Sequence, residues 1–464
     1  MASGYKRRIM VKAILDNKLR IKKSDLTQEQ LRTIREKFSF LVNNESVQLH
    51  QVTEHLVILP PNVSYVKEFI PDLEVKDIRK FETIDSTDFN CELRPHQEQW
   101  MEDFKDFDYD AILRAATSTG KTFAMMKLQS ILKVPMLFVA YQTTHLNNMM
   151  REIEEHHQEA NCVKITGKWD GQLSDFNFCT VQLLAKRPDI AEMLSDRGII
   201  VLDEAHLILG GEQFRNALYN ISCKYKIAMS ATPDVKEDGF IQAAWSGSIV
   251  TTDESNAIPV TVLPIKLNFP SEFEYMGGDA ITKKKAYGLH KPFVKSLMDS
   301  VEHLVKDRGR SIMIYNDLNT TQETYKEMCD KIGIDARVVN NNTDKKDLPK
   351  ILKEFEEGKF QVLINGIMIR ESTSINRLSV IILTSPINCD SLHNRNGLSQ
   401  LYGRLKRMKE SVSTHKKVFI DLIFSGFESQ YYSREAVYKK TVGATIAKTI
   451  ESENTNFRHI LERG

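Results

Sequence analysis

The chain has 464 residues, 41% of them hydrophobic and 27% charged, with 63 basic against 62 acidic side chains. That length exceeds one core and implies two or three domains, while the composition excludes disordered and collagen-like classes. The near-neutral balance neither requires nor excludes a nucleic-acid partner, because a basic groove is readily offset by acidic surface elsewhere. The first element is basic: residues 1–23, MASGYKRRIMVKAILDNKLRIKK, hold eight Lys/Arg and one Asp, and they read as a solvated terminus or as a phosphate-contacting one. RIMVKAIL and HLVILP read as strands, and TQEQLRTIREKFSFLV (27–42) has apolar positions at helical spacing. PPNVSYVKEFIPDLEVKD (60–77), punctuated by three prolines, reads as a linker or irregular excursion. Residues 1–88 are therefore expected to form a small α+β domain.

From residue 89 to 265 the pattern changes. AILRAA, MLFVAY, FNFCTV, GIIVLD and YKIAMSA are short runs, apolar on both faces and separated by helical segments. Such runs indicate a parallel sheet covered on both sides. The alternation restarts after NAIPVTVLPIKLNFP with SIMIYN, ARVVNN, FQVLING, SVIILTS and KVFIDLI. Residues 266–464 are thus expected to form a second α/β domain with a helical tail. Between the two, Gly277-Gly278 and Lys283–Lys285 suggest an exposed loop or hairpin.

The chemistry begins at AILRAATSTGKTFA (111–124). A strand, a loop ending Gly120-Lys121-Thr122 and a helical run form the setting of a phosphate-binding loop, with Ala115 where the pattern asks for its first glycine. Backbone N–H groups of Thr117, Ser118, Thr119 and Gly120 would cradle phosphate oxygens. Lys121 would reach the β- and γ-phosphates, and Thr122 would hold Mg²⁺. GIIVLDEAH (198–206) ends an apolar strand in Asp203-Glu204: Asp203 suits a Mg²⁺ carboxylate at a neighbouring strand's carboxyl end, and Glu204 could polarise the attacking water. SQLYGRLKRMK (399–409) places Arg404 and Arg407 three apart on a predicted helix, cations suited to the charge that develops on a γ-phosphate.

In this order the set resembles superfamily 2 helicases, over about residues 90–425. LRPHQEQW looks like the adenine-recognising motif, which implies base reading by Gln97 with Arg94 close by. AATSTGKT, DEAH and SAT (Ser230-Ala231-Thr232) look like motifs I, II and III, the last implying coupling of hydrolysis to domain movement, with His206 as the link. QLYGRLKR looks like motif VI, with Gln400, Gly403, Arg404 and Arg407 in place. VAYQTTHLNNM and TVQLL stand where motifs Ia and Ic belong, which implies nucleic-acid contacts at Thr143, Thr144, Thr180 and Gln182. Motif V departs from the family, since Ser372 and Ser374 replace a glycine and an aspartate; Ser372 and Thr373 are its candidate contacts. The resemblance implies two tandem RecA-like domains sharing ATP and Mg²⁺, closing over nucleotide. Within the superfamily the LRPxQ opening and basic N-terminus look most like phage UvsW-type helicases, which implies branched DNA as substrate in replication, recombination or repair. The alternatives are a DEAH-type RNA helicase, against which the short tail after Arg407 speaks, and a nucleotide-gated DNA-binding switch that does not unwind.

Other features read more plainly. Six dispersed cysteines with no C-x-x-C pair imply reduced thiols and no structural metal. The charged N-terminus lacks an apolar signal core and no apolar run approaches a membrane span, so a cytoplasmic monomer is expected, in host cytoplasm if phage-encoded. His156-His157 reads as exposed helix surface rather than a metal site, and Tyr431-Tyr432 as packing of a C-terminal helix.

Overall fold

The structure is a computed structural model that describes residues 10–42, 45–85, 88–115, 119–195, 198–230, 239–251, 260–273, 275–344, 346–366, 375, 377–405, 417–440, 444–452 and 457–458. It divides into two compact units, one running from residue 1 to 253 apart from 117–119, the other from 254 to 464. Each is built on a parallel sheet, and the first also carries a small α+β sheet from the N-terminal residues.

The N-terminal sheet has the order Gln51–Val52, Leu56–Leu59, Leu19–Lys22, Val11–Leu15, Leu73–Asp77. All pairs are antiparallel except Val11–Leu15 with Leu73–Asp77. This last strand corrects the reading of 60–77 as a linker. The prolines flank elements rather than interrupt them, and the stretch holds the helix Val63–Lys67 and an integral strand. The helix expected across 27–42 also stops short. It spans Gln28–Lys37, opened by a reciprocal cap in which Thr27 Oγ1 accepts from the Gln30 amide at 3.1 Å and Gln30 Oε1 from the Thr27 amide at 2.9 Å. Ser39–Val42, rich in residues that favour pleated surfaces, leaves the helix to pair with Glu45–Gln48.

The first parallel sheet runs Cys162–Lys164, Phe176–Thr180, Met136–Ala140, Ile199–Leu202, Tyr225–Ser230, Asp110–Arg114, Ile249–Thr251. Its central strands are buried on both faces, as their uninterrupted apolar runs require. On one side, the inner face of the N-terminal sheet shares a continuous core with the helices Ala205–Leu209 and Phe240–Ala244. The Phe40 and Phe240 rings meet edge to face at 5.3 Å. Asn62, fully buried, clasps this joint: its amide donates to the Gln242 and Ala243 carbonyls and its oxygen accepts from the Tyr65 and Gly247 amides. Lys226 donates to the Pro61 and Trp245 carbonyls and lies 3.3 Å from Asp110.

The second unit's sheet runs Ala336–Val339, Val362–Asn365, Ile312–Tyr315, Val380–Leu383, Lys417–Phe424, Val260–Leu267, Thr445–Ile446, with Ile450–Glu451 also paired to Val260–Leu267. The helix Glu428–Lys440 is pinned to this sheet by a buried cluster. Arg434 makes a two-pronged contact to Asp421 at 2.9 and 2.8 Å, and the Tyr438 hydroxyl donates to the same carboxylate at 2.8 Å. Tyr431 packs under Arg434 while Tyr432 stays exposed. No helix among the described residues is long and apolar enough to cross a membrane.

Candidate active site

The register of the first sheet lines up the carboxyl ends of its central strands. Arg114 pairs with Ser230, and Leu202 lies beside both Ala228 and Val139. The residues that follow these strands therefore emerge at one edge, where ligands of open α/β sheets bind.

Gly120 opens the helix Lys121–Leu132 with φ +79°, a left-handed conformation that glycine adopts freely. A Cβ there would run into Gln97 Nε2. Gln97 is the reason for this tightness. Its Oε1 accepts from the Arg94 amide at 2.9 Å and its Nε2 donates to the Gly120 carbonyl at 3.0 Å, so the side chain ties the LRPHQ helix start to the loop. The Arg94 side chain is exposed. Ala115, buried, keeps the strand's pairing by donating to the Ser230 carbonyl at 3.3 Å, and Lys121 Nζ donates to the Ala115 carbonyl at 3.2 Å. Thr117 and Ser118 lie outside the described residues; Thr119 is described and buried.

Asp203 is held by its own strand edge, its amide donating to the Val139 carbonyl at 2.9 Å. Its Oδ2 lies 3.4 Å from Nδ1 of His145, a residue 2% exposed on the helix Thr143–His156. Burial alone would raise the Asp203 carboxyl, but the His145 contact and the Lys121 charge outweigh it and hold the group below the usual carboxylate range. His145 was not singled out from sequence; the available signal was an imidazole two residues past Thr143, in the first turn of the helix that follows the buried strand Met136–Ala140.

Glu204 is one of four non-glycine residues with positive φ among the described residues, at φ 48° and ψ 51°. Such a conformation costs on the order of 1 kcal/mol and marks functional turns. It lets the chain reverse between the strand ending at Leu202 and the helix starting at Ala205. The carboxylate is buried; its Oε2 has no hydrogen bond and stands 3.5 Å from His206 Nδ1. His206 Nδ1 in turn meets Ser230 Oγ at 2.9 Å, both residues buried. The DEAH turn and the SA(T) strand end are thus directly connected; Ala231 and Thr232 lie outside the described residues.

Oxygen donors suit Mg²⁺, which keeps much of its shell for water and phosphate and asks the protein for one or two ligands. The anionic Asp203 and the first-turn Thr122 hydroxyl fit that demand. The half-buried Glu152, missed from sequence, contacts the Thr122 hydroxyl, and burial raises its carboxyl. Among the described residues no group of three or more His, Cys, Asp and Glu could hold a metal. His156 and His157 instead pack at a tilt against the rings of Phe123 at 4.7 Å and Phe89 at 5.0 Å, and His157 is buried, correcting its reading as exposed surface.

The candidate nucleic-acid residues of this unit also gather. Thr180 pairs with Ala140 in register, so Thr180 and Gln182 lie beside Thr143 and Thr144 at neighbouring strand ends. Gln182 Nε2 donates to the Tyr141 carbonyl at 2.9 Å, joining the two loops. In the second unit Gln400 lies on the helix Leu392–Gly403. The helix expected to carry Arg404 and Arg407 on one face ends at Gly403, before Arg404. At Gly403, a poor helix former, the chain tightens so that the Arg404 and Leu405 amides bond the Leu401 and Tyr402 carbonyls at 3.2 and 3.0 Å. Arg404 is buried; Arg407, Ser372 and Thr373 lie outside the described residues.

Residues 90–235 match the family model of the type III restriction enzyme res subunit, and residues 295–409 match the helicase conserved C-terminal domain. The chain belongs to the superfamily 2 helicases. Among curated relatives, UvrABC system protein B of Colwellia psychrerythraea is 24% identical over 232 residues, 47% of this chain and 33% of that protein. The alignment thus spans about a third of that relative's length. Among solved structures, Saccharomyces cerevisiae Dbp5 bound to RNA and ADP BeF3 superposes with a TM-score of 0.55 at 14% identity, covering 80% of this helicase chain and 93% of that one. T4 UvsW aligns with 95% of this chain and 99% of that chain, with a TM-score of 0.41 at 15% identity.

Proposed function

We propose that this superfamily 2 helicase is an ATP-dependent DNA helicase or translocase that acts on branched DNA. The observation that carries the ATP-driven part is the convergence at one sheet edge of Lys121, Asp203 and Glu204, with His206 bonded to Ser230 at 2.9 Å. In this reading Lys121 turns from the Ala115 carbonyl to the β- and γ-phosphates, and Asp203 and Thr122 hold Mg²⁺. The ion, when bound, neutralises charge on the phosphate oxygens. Glu204, already buried and free of a competing hydrogen bond on Oε2, orients the attacking water and takes up its proton. The His206–Ser230 contact passes the change at the DEAH turn to the strand that ends at Ser230. Arg404 and Arg407 stabilise the charge of the transition state.

The LRPxQ opening and the basic N-terminal residues support DNA, and branched DNA in particular. The second reading is an RNA helicase, favoured by the likeness to Dbp5, whose solved structure is bound to RNA. ATPase rates measured with forked DNA, single-stranded DNA and RNA separate the two. Stimulation by forked DNA above single strands is expected, and stimulation by RNA alone overturns the DNA reading. Lys121→Ala is expected to cut turnover by at least about a hundredfold while DNA binding persists; undiminished turnover ends the phosphate-loop assignment.

A further inference from the structure

The N-terminal sheet buries one face and leaves the other to solvent. Along Val11–Leu15, Val11, Ala13 and Leu15 are buried while Lys12 and Ile14 are exposed; Leu19 and Ile21 are buried while Lys22 is exposed and Arg20 half-exposed. Glu74 and Lys76 continue the open face on Leu73–Asp77, and Leu56 and Ile58 on Leu56–Leu59.

Strand register fixes how these side chains are arrayed. One row crosses the sheet as Ile58, Arg20, Ile14, Lys76. The next, two residues along each strand, reads Leu56, Lys22, Lys12, Glu74, since the register that pairs Ala13 with Ile21 sets Lys12 opposite Lys22. Four cations thus fall in two adjacent rows over three strands, within roughly 10 Å of one another given ordinary strand spacing. Like charges directly opposite on antiparallel strands destabilise a sheet by some tenths of a kcal/mol. Lys12 and Lys22 are kept in that relation, and an anion between them would reverse its sign. Among the described residues Lys12, Lys22 and Lys76 have no ion-pair partner, whereas Arg20 meets Asp16 at 2.9 Å. Carboxylates near these cations include Asp16, the exposed Glu74, which stands beside Lys12, and the exposed Asp72 two residues before it. Beyond Lys22 the surface falls into a depression of about 650 Å³ where Lys23 and His55 stand with a single carboxylate, Glu54.

We propose that this open face is a docking surface for the phosphate backbone of duplex DNA, gripped by Lys12, Lys22, Lys76 and Arg20. The proposal rests on the DNA reading above. Charge complementarity selects a polyanion, and the lack of aromatic rings among these face residues selects duplex over unpaired strand. Single-strand platforms stack bases on aromatic side chains, while the apolar residues here, Ile14, Ile58 and Leu56, are aliphatic. Backbone contacts of this kind position a protein on a duplex without reading its sequence.

The test is a salt titration of the full chain on a labelled blunt duplex and on a single strand of equal length. Each phosphate contact contributes about 0.9 to the slope of log affinity against log salt. The triple variant Lys12→Gln/Lys22→Gln/Lys76→Gln is expected to flatten the duplex slope by about 2 to 3 and to weaken duplex binding at least about tenfold near 150 mM salt, with an unchanged melting midpoint. Glu74→Gln, which removes the face's own carboxylate, is expected to act oppositely and tighten duplex binding, so the proposal stays open to refutation should the triple variant fold poorly. A wild-type slope in the triple variant overturns the docking surface, as does a loss confined to the single strand or found only for an acidic protein ligand. If instead the wild-type chain binds neither DNA form and takes RNA, the DNA reading itself has failed.

Discussion

Glu204 shows at the residue scale what a motif conceals. Its letter in DEAH identifies a carboxylate beside the proposed Mg²⁺ ligand, yet not that its backbone sits at φ 48° or that one carboxylate oxygen is buried without a hydrogen bond. Both features cost stability, so Glu204→Gly is expected to raise the unfolding free energy by about 1 kcal/mol while abolishing ATP turnover, read by thermal melting and steady-state hydrolysis. A drop in melting midpoint would contradict the strain argument. Gly120 presents the reverse case. Gly120→Ala forces a side chain into a left-handed conformation and against Gln97, so nucleotide affinity is expected to fall at least about tenfold, measured by fluorescent-nucleotide titration. His145→Ala, which removes the imidazole beside Asp203, is expected to weaken Mg²⁺-dependent nucleotide binding about tenfold, with His145→Asn restoring part of it. The gathering of Lys121, Asp203 and Glu204 at one sheet edge was legible because a phosphate-binding loop and an acidic strand end are recognised by residue type and place. His145 was not, because it reaches Asp203 from another helix, across a distance in sequence that no spacing rule covers.

Among the elements, legibility followed periodicity. The two-sided apolar strands of both parallel sheets stand where their runs predicted. The helix Lys121–Leu132 forms as expected, and of its apolar residues Ile131 is exposed while Ala124 and Met125 are buried. A helix enclosed on most sides has little stripe to read. The strand Leu73–Asp77 escaped notice because three of its five residues are charged and it pairs with a strand some sixty residues earlier, a contact invisible to a local window. Arg404 escaped its predicted helix because Gly403 ends it. The Asn62 clasp offers a test at this scale. Removing the side chain strands backbone groups at 242, 243, 65 and 247, so Asn62→Ala is expected to cost about 3 kcal/mol in denaturant unfolding of the first unit; a loss below about 1 kcal/mol would mean the joint is held by apolar packing alone.

For the first unit as a whole, acid is the revealing variable. Asp77 ends the strand Leu73–Asp77 and reaches across to the parallel-sheet core, meeting Lys224 at 2.7 Å and Arg79 at 3.0 Å. Arg79 in turn donates to the Cys223 carbonyl at 3.0 Å. Burial would raise the Asp77 carboxyl, but hydrogen bonds from Arg79 and Lys224 and the Arg79 charge bring it down to about 2. A carboxyl lowered in the folded state adds stability that is fully present above its ordinary value near 3.8 and is lost as pH falls towards about 2. Allowing for solvent screening, the contribution is about 1 kcal/mol. Asp77→Asn is therefore expected to lower the melting midpoint at pH 7 and to leave it nearly unchanged near pH 2; an equal loss at both would assign the effect to packing.

The shared core beneath the N-terminal sheet has a metrological consequence. The N-terminal sheet and the strand end that carries Asp203 belong to one compact unit and share a continuous core. A probe on the solvent face of that sheet, set on Ile58 and away from the lysines, would therefore report movement of the lobe proposed to bind ATP. Under the translocase activity proposed above, its displacement would serve as a ruler for the step coupled to each hydrolysis.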